Sequence, residues 1–436
     1  MISFSAVALA LALAQVPQQG TAAAPVAGDT TVITLDEALK LASERNLDLQ
    51  VLKARLDQAD EISWKAWSGY LPQVKGTGVW QVQPEVVHPA FGTVQSGEAL
   101  QGQVEVTQTL FSPALMFGIR AAMKAEEAAA LSIGEGRRAL LFGVASAYYA
   151  SASLKQALGV SQRLLEIAQR QEKDARVRFQ AGTVAKVALL RAEIDRARAE
   201  QDLKRARNTF ASAKIALATL LDRSPDFDVV DPPSPPLPET PDAEALVGEA
   251  LRNRQDVRAA RAQIGAARAT RNAAIGRYFP NVAGFARRQY SDPGSILTGG
   301  ENWNWQAGVA LQWQILDGGL RESDLREGNA KIAEAEAAAR SAEAKVRQEV
   351  RQALLDLDSA RANAAKAKEQ RDLATENLRL VDVSYRAGAA TAVELADATA
   401  ALRTAEAGAT AETLGAQLAA LRVLQVTGEF EPGKRR

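Results

Sequence analysis

The sequence predicts a mainly α-helical protein with β-strands, in which a helix–strand–strand–helix–helix unit occurs twice. Two long tracts, 114–224 and 294–431, contain no proline and are rich in alanine, the residue with the highest helix propensity. Stretches between the helical tracts alternate apolar and polar residues with a period of two, which is typical of strands. Short motifs recur at nearly constant spacing in the two halves. These three observations together predict a duplicated fold.

The helices of each unit have recognisable beginnings. The long ones are predicted at 113–179 and 320–385, and about 65 helical residues would span roughly 100 Å, as in a stalk. The shorter helix before them is predicted to begin at Thr34, because Thr34 and Glu37 have the spacing of a capping box. Its counterpart in the second half is predicted to begin at Thr240, with Pro241 in the first helical position.

Matching motifs define the duplication. GYLPQV at Gly69–Val74 is matched by RYFPNV at Arg277–Val282, 208 residues later. Gly182 and Gly388 each interrupt a helix-forming stretch and lie 206 residues apart. Glycine tolerates the left-handed conformation that often ends a helix, so both positions are predicted turns between a long helix and the next helix.

The domain boundaries follow from these repeats and from proline. Seven of the 16 prolines fall within 225–241, which predicts an extended linker rather than a helix or a central strand. The apolar stretch Phe4–Ala14 is too short to span a bilayer and ends in a small-x-small cleavage pattern. The predicted organisation is a signal peptide (1–14), an N-terminal extension (15–33), a first repeat (34–224), a proline-rich linker (225–241), a second repeat (242–428) and a C-terminal tail (429–436).

The strand segments predict contact with lipid. From Trp303 to Ile315 every odd position is apolar, and the even positions include Asn, Gln and Gly. Such alternation also occurs in a half-buried sheet of a soluble protein, but the length fits a membrane strand of about 9–11 residues. Tryptophans mark the edges of membrane barrels. The predicted membrane girdle consists of Trp80, Trp303, Trp305 and Trp313.

Four predicted strands cannot close a membrane barrel alone. An open sheet edge would leave backbone groups unpaired in hydrocarbon, and the smallest barrels have about eight strands. Two, three or four copies would give 8, 12 or 16 strands, and the residues alone do not choose among them. The strand at 282–290 is the weakest of the four, because Arg287 and Arg288 together interrupt its alternation.

Composition argues against enzymatic and nucleic-acid functions. There is no cysteine and one histidine, so no thiol chemistry, metal centre or bound cofactor is expected. No phosphate-binding loop, metalloprotease motif or nucleophile elbow is present. The formal net charge is zero, which is not typical of a nucleic-acid-binding protein.

The chain resembles the TolC family of outer membrane factors over essentially its whole mature length. The resemblance is carried by TLDEALKLASERNLDL at Thr34–Leu49, YLP and YFP before the strand pairs, LDGGLR at Leu316–Arg321, and the two glycine-centred turns. It implies a homotrimer in the outer membrane of a Gram-negative-type bacterium, with a 12-stranded β-barrel continued by a periplasmic α-helical coiled-coil barrel. It also implies a passive exit duct for efflux or type I secretion, which works with an inner-membrane transporter and a periplasmic adaptor.

The resemblance assigns roles to the turns. It implies that Gly182, Thr183, Gly388 and Ala389 lie at the hairpin tips that form the periplasmic entrance and dock the adaptor. By position after the second glycine, the acidic residues of the entrance correspond to Glu394 and Asp397. Three chains would then form rings of carboxylates that attract cations.

The chain departs from the family pattern near these tips. Ala188 stands where the first repeat would match Glu394, and Ala390 stands where some members carry an arginine of the closed state. Arg191 corresponds to Asp397 in the repeat alignment, and we expect it to take part in a latch instead.

Another class of function remains open at this point. A periplasmic coiled-coil adaptor or scaffold would also contain long helices, with the strands in a soluble sheet. Adaptors usually have one hairpin, whereas this chain predicts two equivalent ones.

Overall fold

The computed structural model describes residues 31–88, 92–95, 97–235, 237, 242–292 and 302–430. The predicted signal peptide, most of the N-terminal extension and most of the C-terminal tail lie outside these residues, as do Thr240 and Pro241. Within the described ranges, no helix combines the length and the apolar character needed to cross a membrane.

The described residues form eight α-helices, one 3-10 helix (Ser68–Tyr70) and eight strands. In chain order these are β1 (Thr31–Ile33), α1 (Leu35–Arg45), α2 (Leu47–Trp67), β2 (Gln73–Val82), β3 (Val86–His88), β4 (Gly92–Gln95), β5 (Glu98–Phe111), α3 (Pro113–Gln180), α4 (Lys186–Leu220), β6 (Phe227–Val229), α5 (Ala243–Asn253), α6 (Gln255–Gly276), β7 (Asn281–Asp292), β8 (Trp303–Gln312), α7 (Leu320–Arg386) and α8 (Ala392–Thr427). The predicted class, mainly α with β in a duplicated unit, is confirmed.

Each unit begins with two helices where one was predicted. Between α1 and α2, Asn46 has an extended backbone with ψ 126°. Its side chain accepts a hydrogen bond from the Leu49 N–H (3.0 Å) and donates one to the Leu220 carbonyl (2.8 Å). Arg254 has the same conformation, with ψ 127°, between α5 and α6. Neither position carries glycine or proline, so the sequence contained no helix-breaking residue that would predict the interruption.

The second break is held by charge. Arg254 is buried, and its guanidinium lies 2.6 Å from a carboxylate oxygen of Asp256 and 2.5 Å from one of Glu349. Burial alone would lower the pKa of Arg254, but these two carboxylates outweigh it and raise the pKa. Burial would likewise raise the pKa of Asp256, yet the hydrogen bonds and charge of Arg254 leave it lowered. The pair fixes the start of α6 against α7.

The start of the first helix of each unit was predicted correctly in the first half only. Thr34 caps α1 through the predicted capping box with Glu37. α5 begins at Ala243, and its N-cap is Asp242, whose carboxylate accepts a hydrogen bond from the Glu244 N–H at 3.0 Å. The prediction that this helix begins at Thr240 is therefore wrong by two residues.

Part of the predicted linker is a strand. Phe227–Val229 forms β6, which pairs in parallel with β1. Phe227 and Val229 are fully buried in a core that includes Leu217 of α4. The hydroxyl of Tyr148 on α3 lies 2.7 Å from the Ile33 carbonyl at the end of β1. The proline-rich stretch is thus anchored to the helices at its beginning.

The long helices agree with prediction. α3 has 68 residues and α7 has 67, and each is followed by an antiparallel helix, α4 or α8, of 35 or 36 residues. α6 lies between α3 and α7 and joins the two halves. The apolar stripe of α7 packs inward, with Val346, Val350 and Leu357 buried. Packing of this stripe, rather than helix propensity alone, holds such long helices in place.

Four strands form one antiparallel sheet in the order β2-β5-β7-β8. Residues that lie directly opposite each other point to the same side of the sheet. One rung of directly opposite residues runs Gly76, Val104, Arg288, Trp305, and the next toward the free end runs Gly78, Gly102, Tyr290, Trp303. Within this sheet β2 and β8 are the edge strands.

The sheet has one apolar and one polar face. The apolar face contains Val74, Trp80, Val82, Leu100, Val104, Val106, Ala286, Tyr290, Trp303, Trp305 and Val309. The polar face contains Gln73, Lys75, Thr77, Gln81, Gln103, Glu105, Thr107, Arg287, Gln289, Asn304 and Gln306. Arg287 and Arg288, which were predicted to weaken β7, point to opposite faces, and the strand is continuous.

Candidate functional sites

The turn between α3 and α4 has the geometry of a Schellman motif. Gly182 has φ 72°, a left-handed conformation that residues with a Cβ rarely adopt. Its N–H donates to the Phe179 carbonyl (3.0 Å), and the Thr183 N–H donates to the Arg178 carbonyl (2.9 Å). These two bonds satisfy carbonyls that would otherwise be unpaired at the helix end.

The turn between α7 and α8 repeats this motif. Gly388 has φ 80°. Its N–H donates to the Tyr385 carbonyl (3.1 Å), and the Ala389 N–H donates to the Ser384 carbonyl (2.9 Å). The two predicted turns are therefore confirmed as turns. Their role in docking a partner stays a prediction.

The helices that follow the two turns begin differently. α4 begins after Ala185 with no side-chain cap. α8 begins after Thr391, which forms a capping box with Glu394: the Thr391 N–H lies 2.6 Å from the carboxylate, and the Glu394 N–H lies 3.3 Å from the Thr391 hydroxyl. The backbone N–H and then the hydroxyl of Thr391 lower the pKa of Glu394. The sequence T-x-x-E at 391–394 is the same capping-box pattern that predicted the helix start at Thr34, but it was not used to predict the start of α8.

The structure places the predicted entrance residues close to the tips. Glu394 and Asp397 are both exposed. Leu395 and Ala398, the residues that directly follow them on α8, are buried. Arg191 is exposed on α4. No contact among the described residues joins Arg191 to either carboxylate, so neither the acidic ring nor the latch is formed within one chain.

A residue that sequence reasoning missed connects the two tips. Arg178, near the end of α3, donates hydrogen bonds to the carbonyls of Tyr385 (3.0 Å) and Arg386 (3.1 Å) in the last turn of α7. Its guanidinium also lies 4.7 Å from the centre of the Tyr385 ring. The cation thus meets the negative end of a helix dipole and an aromatic face together. The repeat-equivalent position is Ser384, which is too short to do the same.

Apolar packing supports this contact from behind. Tyr385, Leu378 and Leu395 belong to a buried cluster between α7 and α8, and Leu164 and Ile167 of α3 pack against it. A further hydrogen bond joins Gln171 of α3 to Thr399 of α8 (2.9 Å). The two hairpins of one chain therefore form a single packed unit near their tips.

A separate set of ion pairs lies within the first hairpin. Arg176 on α3 lies 2.5 Å from Glu172 and 3.2 Å from Glu193 on α4. Arg196 on α4 lies 2.7 Å from Glu172. These pairs join α3 to α4 and do not reach the second hairpin.

The predicted girdle tryptophans lie on the apolar side of the sheet or at its end. Trp80, Trp303, Trp305 and Trp313 are each more than half exposed. Trp313 follows β8 by one residue, and its indole N–H donates to the Tyr278 carbonyl (3.1 Å). Ten residues of strand extend about 33 Å, which at a tilt of about 40° becomes roughly 25 Å, the height of the apolar band of a membrane barrel.

Comparison with known proteins agrees with this duplicated architecture. The family model for outer membrane efflux proteins matches residues 38–223 and again residues 246–429. Nodulation protein T of Rhizobium leguminosarum bv. trifolii is 24% identical over 389 residues, which cover 85% of this chain and 82% of that protein.

Solved structures have the same fold. A membrane protein from Pseudomonas aeruginosa superposes with a TM-score of 0.77 at 20% identity, over 94% of this chain and 99% of that one. The outer membrane protein VceC from Vibrio cholerae superposes with a TM-score of 0.73 at 19% identity, over 90% and 96% of the two chains.

Proposed function

The chain belongs to the outer membrane efflux protein family and is an outer membrane efflux channel subunit; from this premise we propose that three copies form a passive exit duct. In this duct twelve strands, four from each chain, form a β-barrel in the outer membrane. The long helices continue it as an α-helical barrel in the periplasm of a Gram-negative-type bacterium.

One observation carries the proposal: a single chain has a two-faced sheet that it does not complete. The four strands present an apolar face toward one side and a polar face toward the other, and β2 and β8 end the sheet. In hydrocarbon an unpaired edge is strongly unfavourable, so identical copies must supply the missing pairing. The number three follows from the family resemblance and gives the 12 strands of the proposed barrel.

The hairpin tips are the proposed periplasmic entrance. Glu394 and Asp397 of three chains would form rings of carboxylates that attract cations. Arg191 would pair with acidic groups of a neighbouring chain and hold the entrance closed.

The proposed duct works with partners and has no chemistry of its own. A periplasmic adaptor would dock at the tip turns, which contain Gly182, Thr183, Gly388 and Ala389. Because the sequence has no nucleotide-binding motif, energy would come from an inner-membrane transporter. The apolar face of the sheet would contact outer membrane lipid.

Membrane fractionation tests the proposal. The chain is expected in the outer membrane fraction and to be released only by detergent, because its apolar sheet face must remain covered. Recovery from the soluble periplasm without detergent would contradict the duct and favour a coiled-coil scaffold.

Single-channel recording tests the acidic rings. Replacing Glu394 and Asp397 together by Ala is expected to weaken block by multivalent cations, because the carboxylates at the constriction are gone. Glu394→Gln combined with Asp397→Asn removes the charge with the smallest change in shape. Glu37→Ala is a matched control, since it removes an equivalent capping-box carboxylate far from the tips. Unchanged block in the first two variants would refute the rings.

A further inference from the structure

The apolar face of the sheet contains a hollow at two neighbouring rungs. Gly76 and Gly102 line the hollow and present no side chain, and Gly78 points to the same face beside them. Val104, directly opposite Gly76, adds an apolar side chain to the floor. Arg288, Tyr290 and Trp303 line one side of the hollow, whose volume is about 780 Å³. All of the residues that line the hollow belong to one chain.

The glycines are not required by the backbone or by close packing. The positive φ angles among the described residues occur at other positions. A Cβ at Gly76 would meet no atom within 4 Å, and one at Gly102 would lie 3.9 Å from its nearest neighbour. By contrast, a Cβ at Gly276 would lie 2.5 Å from the Ala114 nitrogen. The floor glycines therefore keep space open where larger residues would fit.

Arg288 is the basic residue on this face, beside the hollow. Its guanidinium lies 4.8 Å from the centre of the Trp303 ring, and the Tyr290 ring packs against Trp303 at a tilt of 58° with the ring centres 5.0 Å apart. Its own rung supplies Val104 and Trp305 as neighbours. The acid on the same face of β7, Asp292, lies four residues along the strand, about 13 Å away.

Within the described residues the neighbouring Arg287, unlike Arg288, has polar partners on its own face of the sheet. Arg287 points to the polar face, where its Nε donates to the Gln306 side chain (2.8 Å) and Glu105 lies directly opposite. Among the described residues, no hydrogen bond or ion pair satisfies Arg288 in the same way. A lone cation on a lipid-facing surface is unfavourable unless an anion meets it.

The position of the hollow along the strands indicates which anion would meet Arg288. β2 starts and β8 ends next to the helices, whereas Trp303 and Tyr290 lie at the opposite end of the sheet. The hollow is therefore close to the membrane edge that faces away from the periplasm. Headgroup phosphates lie at such an edge, and a guanidinium matches the geometry of phosphate oxygens.

We propose that this hollow binds an anionic membrane lipid, with its phosphate at the Arg288 guanidinium and an acyl chain over Gly76, Gly78 and Gly102. The assignment rests on the proposed function, since it requires this face to contact lipid. Each chain of the assembly would hold one such lipid.

Competition between lipids tests the site. Protein reconstituted in phosphatidylcholine vesicles is titrated with phosphatidylglycerol carrying brominated acyl chains, and quenching of tryptophan fluorescence reports occupancy near Trp303. The unaltered chain is expected to prefer phosphatidylglycerol by roughly five- to tenfold, the effect of one charge-assisted hydrogen-bonding group. Arg288→Gln is expected to remove the preference. Arg287→Gln, the matched control on the other face, is expected to retain it.

Several further results would overturn the assignment. Displacement of phosphatidylglycerol by inorganic phosphate at constant ionic strength would indicate a free-anion site. Gly102→Leu fills the hollow. If this variant still preferred phosphatidylglycerol, the lipid would bind elsewhere. If this variant no longer formed the trimer, the hollow would be occupied by a neighbouring chain. Failure of the chain to insert into vesicles would overturn both this inference and the proposed duct, whereas insertion without lipid preference would overturn this inference alone.

Discussion

Replacing Arg178 offers a direct way to loosen the proposed entrance without changing the acidic residues. Arg178 joins the end of α3 to the end of α7 through the carbonyls of Tyr385 and Arg386. Replacing Arg178 by Ala removes both hydrogen bonds and the contact with the Tyr385 ring. The α7–α8 hairpin then loses its polar contact with the end of α3, while the Gln171–Thr399 hydrogen bond and the apolar cluster beneath the tips remain.

The size of the effect follows from the contacts. Two hydrogen bonds from a half-buried cation contribute about 1 kcal/mol each, and the aromatic contact adds about 0.5 kcal/mol. Ordering the arginine side chain offsets about 1 kcal/mol of this. A net loss of about 1.5 kcal/mol corresponds to roughly tenfold in the open-to-closed ratio of one chain, and on the order of a thousandfold when three chains open together.

Conductance in planar bilayers measures this ratio. Arg178→Ala is expected to raise the open fraction, and Arg178→Lys to give an intermediate value, because a lysine keeps the charge without the two-pronged geometry. Arg176→Ala is the control, since Arg176 pairs only within the first hairpin. An unchanged open fraction in Arg178→Ala, or an equal rise in the control, would refute the reasoning.

Three further predictions concern local structure and charge. Gly388→Ala is expected to speed hydrogen exchange of the tip amides about fivefold, because φ 80° strains a residue with a Cβ by about 1 kcal/mol; Ala387→Ser, at φ −74°, should leave exchange unchanged. Arg254→Met is expected to lower the free energy of unfolding of the assembly, measured by thermal denaturation, by about 3 kcal/mol, since two carboxylates lose a buried partner. Arg261→Met removes an exposed ion pair and should lower the free energy of unfolding by less than about 1 kcal/mol. The pKa of Glu394 is lowered from 4.5, so its carboxylate stays charged as the pH falls to that value. Cation selectivity, measured by reversal potential, should therefore be lost only below pH 4.5. A loss between pH 6 and pH 5 would contradict a role of the Glu394 carboxylate in selectivity.

Features that depend on local sequence could be predicted, and the structure confirms them. The long helices follow from uninterrupted proline-free sequence, and both tip turns follow from glycine at a position that requires positive φ. The Thr34 cap is encoded within four residues. Alternation was sufficient to find β8, because every odd residue from Trp303 to Leu311 is apolar.

Features that depend on distant partners could not be predicted. The break at Asn46 is supported by the Leu220 carbonyl, 174 residues away, and the break at Arg254 by Glu349 on α7. Arg178 meets a helix end 207 residues further along the chain. β6 has three residues, too few to show a period. Adjacent residues of a strand point to opposite faces, but only the pairing shows that Arg287 lies opposite Glu105 and Gln306 while Arg288 lies opposite Val104 and Trp305.

Cross-linking tests the central claim that identical chains complete one another's sheet. The chain has no cysteine, so Thr77→Cys on β2 and Asn304→Cys on β8 introduce the only thiols, both on the polar face at one rung. Within a chain they lie about 14 Å apart across the sheet, beyond the reach of a short bismaleimide. Treatment of intact outer membranes is expected to give cross-linked species of two and three chains and none larger. Monomers alone, or species that grow beyond three chains, would contradict a barrel closed by three copies.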